Sequence, residues 1–143
     1  MKIKNEKDLW ADLKKAMLGQ WTAQRHSDID FGPGVPDLSF VMPEFKGVTV
    51  WCELKVWFPK DKNYKIEHYT QYQKDWMMEQ HRLGVPVSLL LDVQTEYYLF
   101  KGSDILAPGT VNSTEYINYC CWRGTKLAGI HEAFRKLVNE DGK

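Results

Sequence analysis

Three side chains between Gly34 and Trp57 have types and spacing that could do chemistry together: Asp37 at the start of one strand-like run, and Glu53 and Lys55 two residues apart in the next. Successive strand side chains point to opposite faces. In "VTVWCELKVW" that alternation puts Val48, Val50, Cys52, Leu54 and Val56 on one side, an apolar row that must face a core. Thr49, Trp51, Glu53, Lys55 and Trp57 share the other side. A lone Glu/Lys pair on a strand is ordinarily a solvated ion pair contributing about 0–1 kcal/mol. Asp37 changes that reading, because pairing of the two strands would bring its carboxylate to Glu53. Two carboxylates side by side repel, and the arrangement is favourable only with a cation between them. Oxygen ligands of this hardness suit Mg²⁺, with Mn²⁺ as a substitute. Lys55 beside such an ion could hold or help deprotonate a water, or neutralise charge growing on a phosphorane-like transition state. The expected chemistry is metal-dependent phosphodiester hydrolysis.

The elements that must present these groups are legible. "NEKDLWADLKKAMLG" places Leu9, Trp10, Leu13 and Met17 on one helical stripe, with Asn5 as N-cap and Gly19 as stop. "WTAQRHS" follows as a strand; then "DIDFGPGVP" supplies turn chemistry, where Pro36 pushes Val35 into an extended conformation and feeds the chain into the strand at Asp37. "IEHYTQYQKDWMMEQHRLG" sets Tyr69, Gln73, Trp76 and Gln80 near one helical stripe. "VPVSLLLDV" and "TEYYLFKG" read as two strands, the first apolar enough to be central. "TKLAGIHEAFRKLV" gathers Leu127, Ile130, Phe134, Leu137 and Val138 on the face of a packing helix, while "ILAPGTVNSTEYINYCCWRG" has no clear period. The order helix, three strands, helix, two strands, helix predicts an α/β or α+β sandwich about a mixed sheet.

At 143 residues and 43% hydrophobic content the chain is expected to be one domain, residues 1–143, with a core of its own. Its formal charge is zero, so any basic footprint must be local. The start "MKIKNEKDLW" has no apolar leader, and no run is long enough to cross a bilayer, so a soluble, cytoplasmic protein with no membrane partner is expected. Three cysteines, Cys52, Cys120 and Cys121, make no disulfide framework, and the vicinal pair with His131 fits no common zinc spacing. They read as structural thiols.

"VPD" with Asp37, followed after a gap by "ELK" with Glu53 and Lys55, resembles the signature of the PD-(D/E)XK nuclease superfamily. Glu6, followed by Leu9 and Leu13, resembles the acidic residue on helix one of the Holliday-junction-resolvase-like and VRR-NUC branches. Gln73 and Trp76 in "QYQKDW" resemble the Q-x-x-W of VRR-NUC proteins, and "GVPVSLLLDV" with "YYLFKG" is similar to the closing strands there. The likeness runs from about Glu6 to about Gly102. It implies an α/β restriction-endonuclease-like core, a central mixed β-sheet flanked by α-helices. It also implies a Mg²⁺-dependent endodeoxyribonuclease. In that assignment Asp37 and Glu53 bind the metal, with the Leu54 carbonyl as a further ligand, and Lys55 is the catalytic lysine. Glu6 reaches the ion directly or through water, and Gln73 orients the lysine or contacts phosphate.

Alternatives stand beside each helper. Acids are favoured at a helix N-terminus by the macrodipole alone, and Asp8 or Asp12 could take the role of Glu6. Gln73 could be a satisfied structural amide, and His26, Asp28 and Asp30 form another acidic cluster. For DNA contact, Lys60, Lys62 and Lys65 lie interleaved with Phe58 and Tyr64, cations beside aromatics that suit phosphates and base faces. Arg25, Arg123 and Lys126 are further candidates. Nothing resembles a helix-turn-helix or zinc finger, so cutting selective for branched, flapped or junction DNA is expected over long sequence readout. Resolvase-like relatives act as homodimers, which implies the same here, and the small size suits a phage or mobile-element protein. The alternative class is a non-catalytic nucleic-acid-binding module on the same fold.

Overall fold

Helix α1 (Glu6–Ala16) begins at a reciprocal cap: the Asp8 N–H donates to the Asn5 side chain at 2.9 Å, and the Asn5 N–H donates to the Asp8 carboxylate at 3.0 Å. Such caps contribute about 1 kcal/mol. Leu9 and Leu13 are buried along its stripe, with Met17 following. The computed structural model describes residues 5–26, 34–57, 69–110 and 114–141. Lys60, Lys62, Tyr64, Lys65, Asp28 and Asp30 lie outside the described residues.

Six strands form one sheet in chain order: β1 (Thr22–Arg25), β2 (Leu38–Val41), β3 (Val50–Val56), β4 (Val87–Asp92), β5 (Tyr97–Lys101) and β6 (Trp122–Gly124). Every neighbouring pair is antiparallel except β3 and β4. A parallel pair cannot be joined by a tight turn. The crossover here contains α2 (Gln71–Arg82), and α3 (Ile130–Asp141) closes the described chain. The sheet is thus the middle of three layers. Leu38, Phe40, Cys52, Leu54, Leu90 and Leu99 pack on one side with α1 and with Phe134 and Leu137 of α3. Leu89, Leu91 and Phe100 pack on the other with Met77 of α2 and Tyr116. Because both faces of β4 are covered, all six of its residues are buried, as its unbroken apolar run predicts.

The structure amends two expectations. Tyr69 precedes the Thr70 N-cap and is not on the helical stripe of Gln73 and Trp76; it is buried instead by donating its hydroxyl to the Ile105 carbonyl at 2.7 Å. The segment without a clear period becomes 3-10 turns (Gly102–Leu106, Thr114–Tyr119), a helical turn at Ala107–Thr110, and β6. It inserts isolated side chains such as Ile105 and Tyr116 into the core, so no period could develop. Among the described residues no helix is long and apolar enough to cross a membrane.

Candidate active site

The register of β2 against β3 pairs Leu38 with Cys52, and both side chains join the core beneath α1. One step further along the antiparallel ladder, Asp37 falls opposite Glu53, on the same face as each other and away from that core. Two contacts fix Asp37 there. Its carbonyl accepts the His26 N–H at 2.8 Å, and its Oδ2 accepts the Leu54 N–H at 2.9 Å. The approach to it is equally constrained, because Gly34 has φ +91° and a Cβ there would lie 2.5 Å from the Tyr72 carbonyl oxygen. Only glycine meets both conditions.

Glu53 and Lys55 do not lie on a solvated face: they are 1% and 3% exposed. The lysine Nζ is 3.6 Å from Glu53 Oε1 and 3.8 Å from Glu6 Oε1, which arrives from the first turn of α1. Those are ion-pair distances, longer than direct hydrogen bonds. The Tyr69 ring adds a third support, its centroid 5.9 Å from the same Nζ. Burying such a pair is weak evidence for stability, since desolvation offsets the Coulombic gain. Burial pushes the Glu53 carboxyl well above its ordinary range, and contact with the Asp37 carboxylate raises it further. Lys55 pulls in the opposite direction, and Glu6 adds to the rise.

Glu53 Oε2 is buried and has no hydrogen-bond donor among the described residues. A carboxylate pair with a donorless buried oxygen is a poor arrangement for a protein alone and a good one around a divalent cation. The donor set therefore fits a hard metal ion. Among the described residues no three His, Cys, Asp or Glu side chains cluster as a metal cage.

The helper residues separate. Asp8 is occupied in the α1 cap, and Asp12 lines an open groove with Tyr97 and Lys126, which leaves Glu6 as the α1 acid at the lysine. Gln73 sits at the third position of α2, where its Oε1 accepts the Thr70 N–H at 3.0 Å; a role toward lysine or phosphate would fall to its amide NH₂. Arg25 is exposed with its guanidinium 5.4 Å from the Trp10 ring, and Arg123 pairs with Glu96 at 2.7 Å. The Cys52 thiol is pushed up to about 12 by burial, and His131 meets Glu44 at 3.0 Å.

Two residues join the site without an advance signal strong enough to place them. Arg25 pairs with Leu38, so His26 falls opposite Asp37 on the site face; its Nε2 meets Ser39 Oγ at 2.7 Å, and its ring lies 5.1 Å from Trp51. Burial holds its pKa below the ordinary value. Lys74 Nζ stands 5.1 Å from the Tyr69 ring that also faces Lys55. Extending the β1–β2 register would have found His26; Lys74 depends on where α2 docks.

No protein-family model matches the chain, and no curated protein matches it in sequence. In fold it is similar to Hjc of Archaeoglobus fulgidus, a Holliday junction resolvase from an archaeal hyperthermophile, known from a structure at 1.6 Å resolution. The TM-score is 0.54 over 88% of this chain and 96% of that one, at 14% identity. The likeness is one of fold, an α/β restriction-endonuclease-like core with a mixed sheet flanked by helices.

Proposed function

We propose that this chain is a divalent-metal-dependent endonuclease that hydrolyses phosphodiester bonds in DNA, selective for branched, flapped or junction structures, with residues 1–143 acting as one nuclease domain. The observation that carries the reading is the Asp37–Glu53 pair: two carboxylates in register on one sheet face, one with a buried donorless oxygen, beside a buried lysine. Packing alone gives no reason to bury that combination. The resolvase-like fold supports the structure-selective class, while assignment to the VRR-NUC branch rests on Gln73 and Trp76 in sequence.

Asp37 and Glu53 would hold Mg²⁺ or Mn²⁺, with the Leu54 carbonyl completing the protein ligands and Glu6 reaching the ion directly or through water. Bound there, the ion would polarise a phosphoryl oxygen and lower the pKa of the attacking water. Lys55, held by Glu53, Glu6 and the Tyr69 ring, donates to that water or to the phosphate oxygens on which charge grows. Glu6 also keeps the ammonium aimed at the phosphate. The Gln73 amide and Lys74 lie on the first turn of α2, from which they can contact flanking phosphates. Lys60, Lys62, Lys65, Tyr64 and Arg25 extend the DNA contact. A four-way junction presents two symmetric scissile bonds, so the expected acting form is a homodimer.

Labelled junction, flap and linear DNAs mixed with the purified protein and Mg²⁺ or Mn²⁺ test the reading. Cleavage that disappears with chelator, in Glu53→Gln and in Lys55→Ala is the expected result. A parent protein that binds these DNAs and cuts none of them is a binding module instead.

A further inference from the structure

Beyond the carboxylates, the same face of the sheet carries a row of rings. Trp51 lies two residues before Glu53, about 6.6 Å along the strand, and is half-buried. Trp76 of α2 meets it edge-to-face at 5.0 Å, and His26 lies 5.1 Å from it. One turn earlier on the same stripe of α2 stands Tyr72, which is 68% exposed. Its backbone is nonetheless held tightly, since its carbonyl occupies the space a side chain at Gly34 would need. Gly34, three residues before Asp37, therefore touches the start of α2 at Tyr72, and Trp76, Trp51 and His26 form a ring cluster on the carboxylate face.

We infer that this row seats unpaired bases of the DNA strand whose phosphate lies at Asp37 and Glu53. The preferred substrate would then carry a single-stranded segment at the cut, as a flap or opened junction arm does. This rests on the nuclease reading above. Bases in a duplex are already stacked and have no face to offer, whereas any unpaired base stacks on tyrosine or tryptophan. These rings have few rotatable bonds, so little conformational freedom is lost on contact. Tyr72 adds almost nothing to the core, and its exposed ring is accessible to a base. Lys74, two residues on, and Lys55 supply cations for the phosphates of the same strand.

The test uses a flap DNA with a fluorescent purine analogue at the first unpaired position, and a blunt duplex of matching sequence, both titrated with the protein under chelator so that no strand is cut. The parent protein and Tyr72→Phe quench the reporter. Tyr72→Ala binds the flap about tenfold more weakly and loses the quenching, with duplex affinity and melting temperature unchanged. Unaltered flap affinity and quenching in Tyr72→Ala, or an equal loss on both DNAs, overturns the inference. Cleavage of either DNA with Mg²⁺ is scored separately. A protein that quenches through Tyr72 but never cuts keeps the row and loses the nuclease. One that cuts with no Tyr72-dependent quenching keeps the nuclease and loses the row.

Discussion

Glu53 holds the least favourable position of any carboxyl described at the site: buried, in contact with a second carboxylate, and raised above its ordinary titration range. That makes a stability statement with a definite sign. In chelator, the folded protein keeps the Glu53 proton to higher pH than the unfolded chain, where the carboxyl titrates near 4.5. Below that value both states are protonated. As pH rises past it the unfolded chain ionises first, so stability falls with pH until Glu53 ionises in the folded state as well. Urea midpoints measured against pH should show this decline, and Glu53→Gln should flatten it. Mn²⁺ should offset the loss, by about 2.7 kcal/mol at one hundred times its Kd, and Asp37→Asn should abolish that gain; a parent midpoint indifferent to Mn²⁺ would remove the metal from the site. Tyr69 gives a second prediction at this scale. Tyr69→Phe keeps the ring facing Lys55 and loses the bond to Ile105, while Tyr69→Leu loses the ring. If the ring aims the ammonium, kcat falls about three- to tenfold in Tyr69→Leu with KM unchanged, and is retained in Tyr69→Phe. Equal losses would leave the ring a packing role only.

The elements contribute by docking. Asp37 is delivered by a turn that must pass under the first turn of α2, and Gly34 is where the two meet. Gly34→Ala combines a positive φ with a 2.5 Å approach to the Tyr72 carbonyl, so it should lower stability by about 1–3 kcal/mol and displace the Asp37 loop. Gly19→Ala is the control: its φ is +76° but nothing lies within 4 Å of the new Cβ. It should cost about 1 kcal/mol and leave cleavage intact. Thermal melts and cleavage rates of the pair separate backbone strain from a disturbed site, and equal activity in both would detach the Gly34 contact from function.

At the scale of the whole molecule, nineteen Lys and Arg balance nineteen Asp and Glu, so no general field draws in DNA. Affinity must then come from a few local cations. With Lys55, Lys60, Lys62, Lys65, Lys74 and Arg25 on phosphates, the logarithm of the binding constant should fall against the logarithm of salt with a slope of roughly −5. Each of Lys60→Ala, Lys62→Ala and Lys65→Ala should reduce that slope by about one and weaken all DNAs alike. Filter binding over a salt series measures it, and a slope unmoved in all three variants would exclude that stretch from the interface.

Much of this was legible in the letters because strand alternation and helical spacing are local properties. The alternation in β3 separates Cys52 and Leu54 from Glu53 and Lys55 before any neighbour is known, and the α1 stripe and its Asn5 cap follow from residues within one turn. The shared face of Glu53 and Lys55 was visible for the same reason, whereas the approach of Asp37 to Glu53 needed the pairing of β2 with β3. What the letters could not decide is distance between elements. The choice of Glu6 over Asp8 and Asp12, the spending of the Gln73 oxygen on a helix cap, the arrival of His26 beside Asp37, and the burial of Lys55 against Tyr69 depend on how α1, α2 and β1 dock on the sheet. Docking is settled by side chains far apart in the chain competing for one core, and no local period records its outcome.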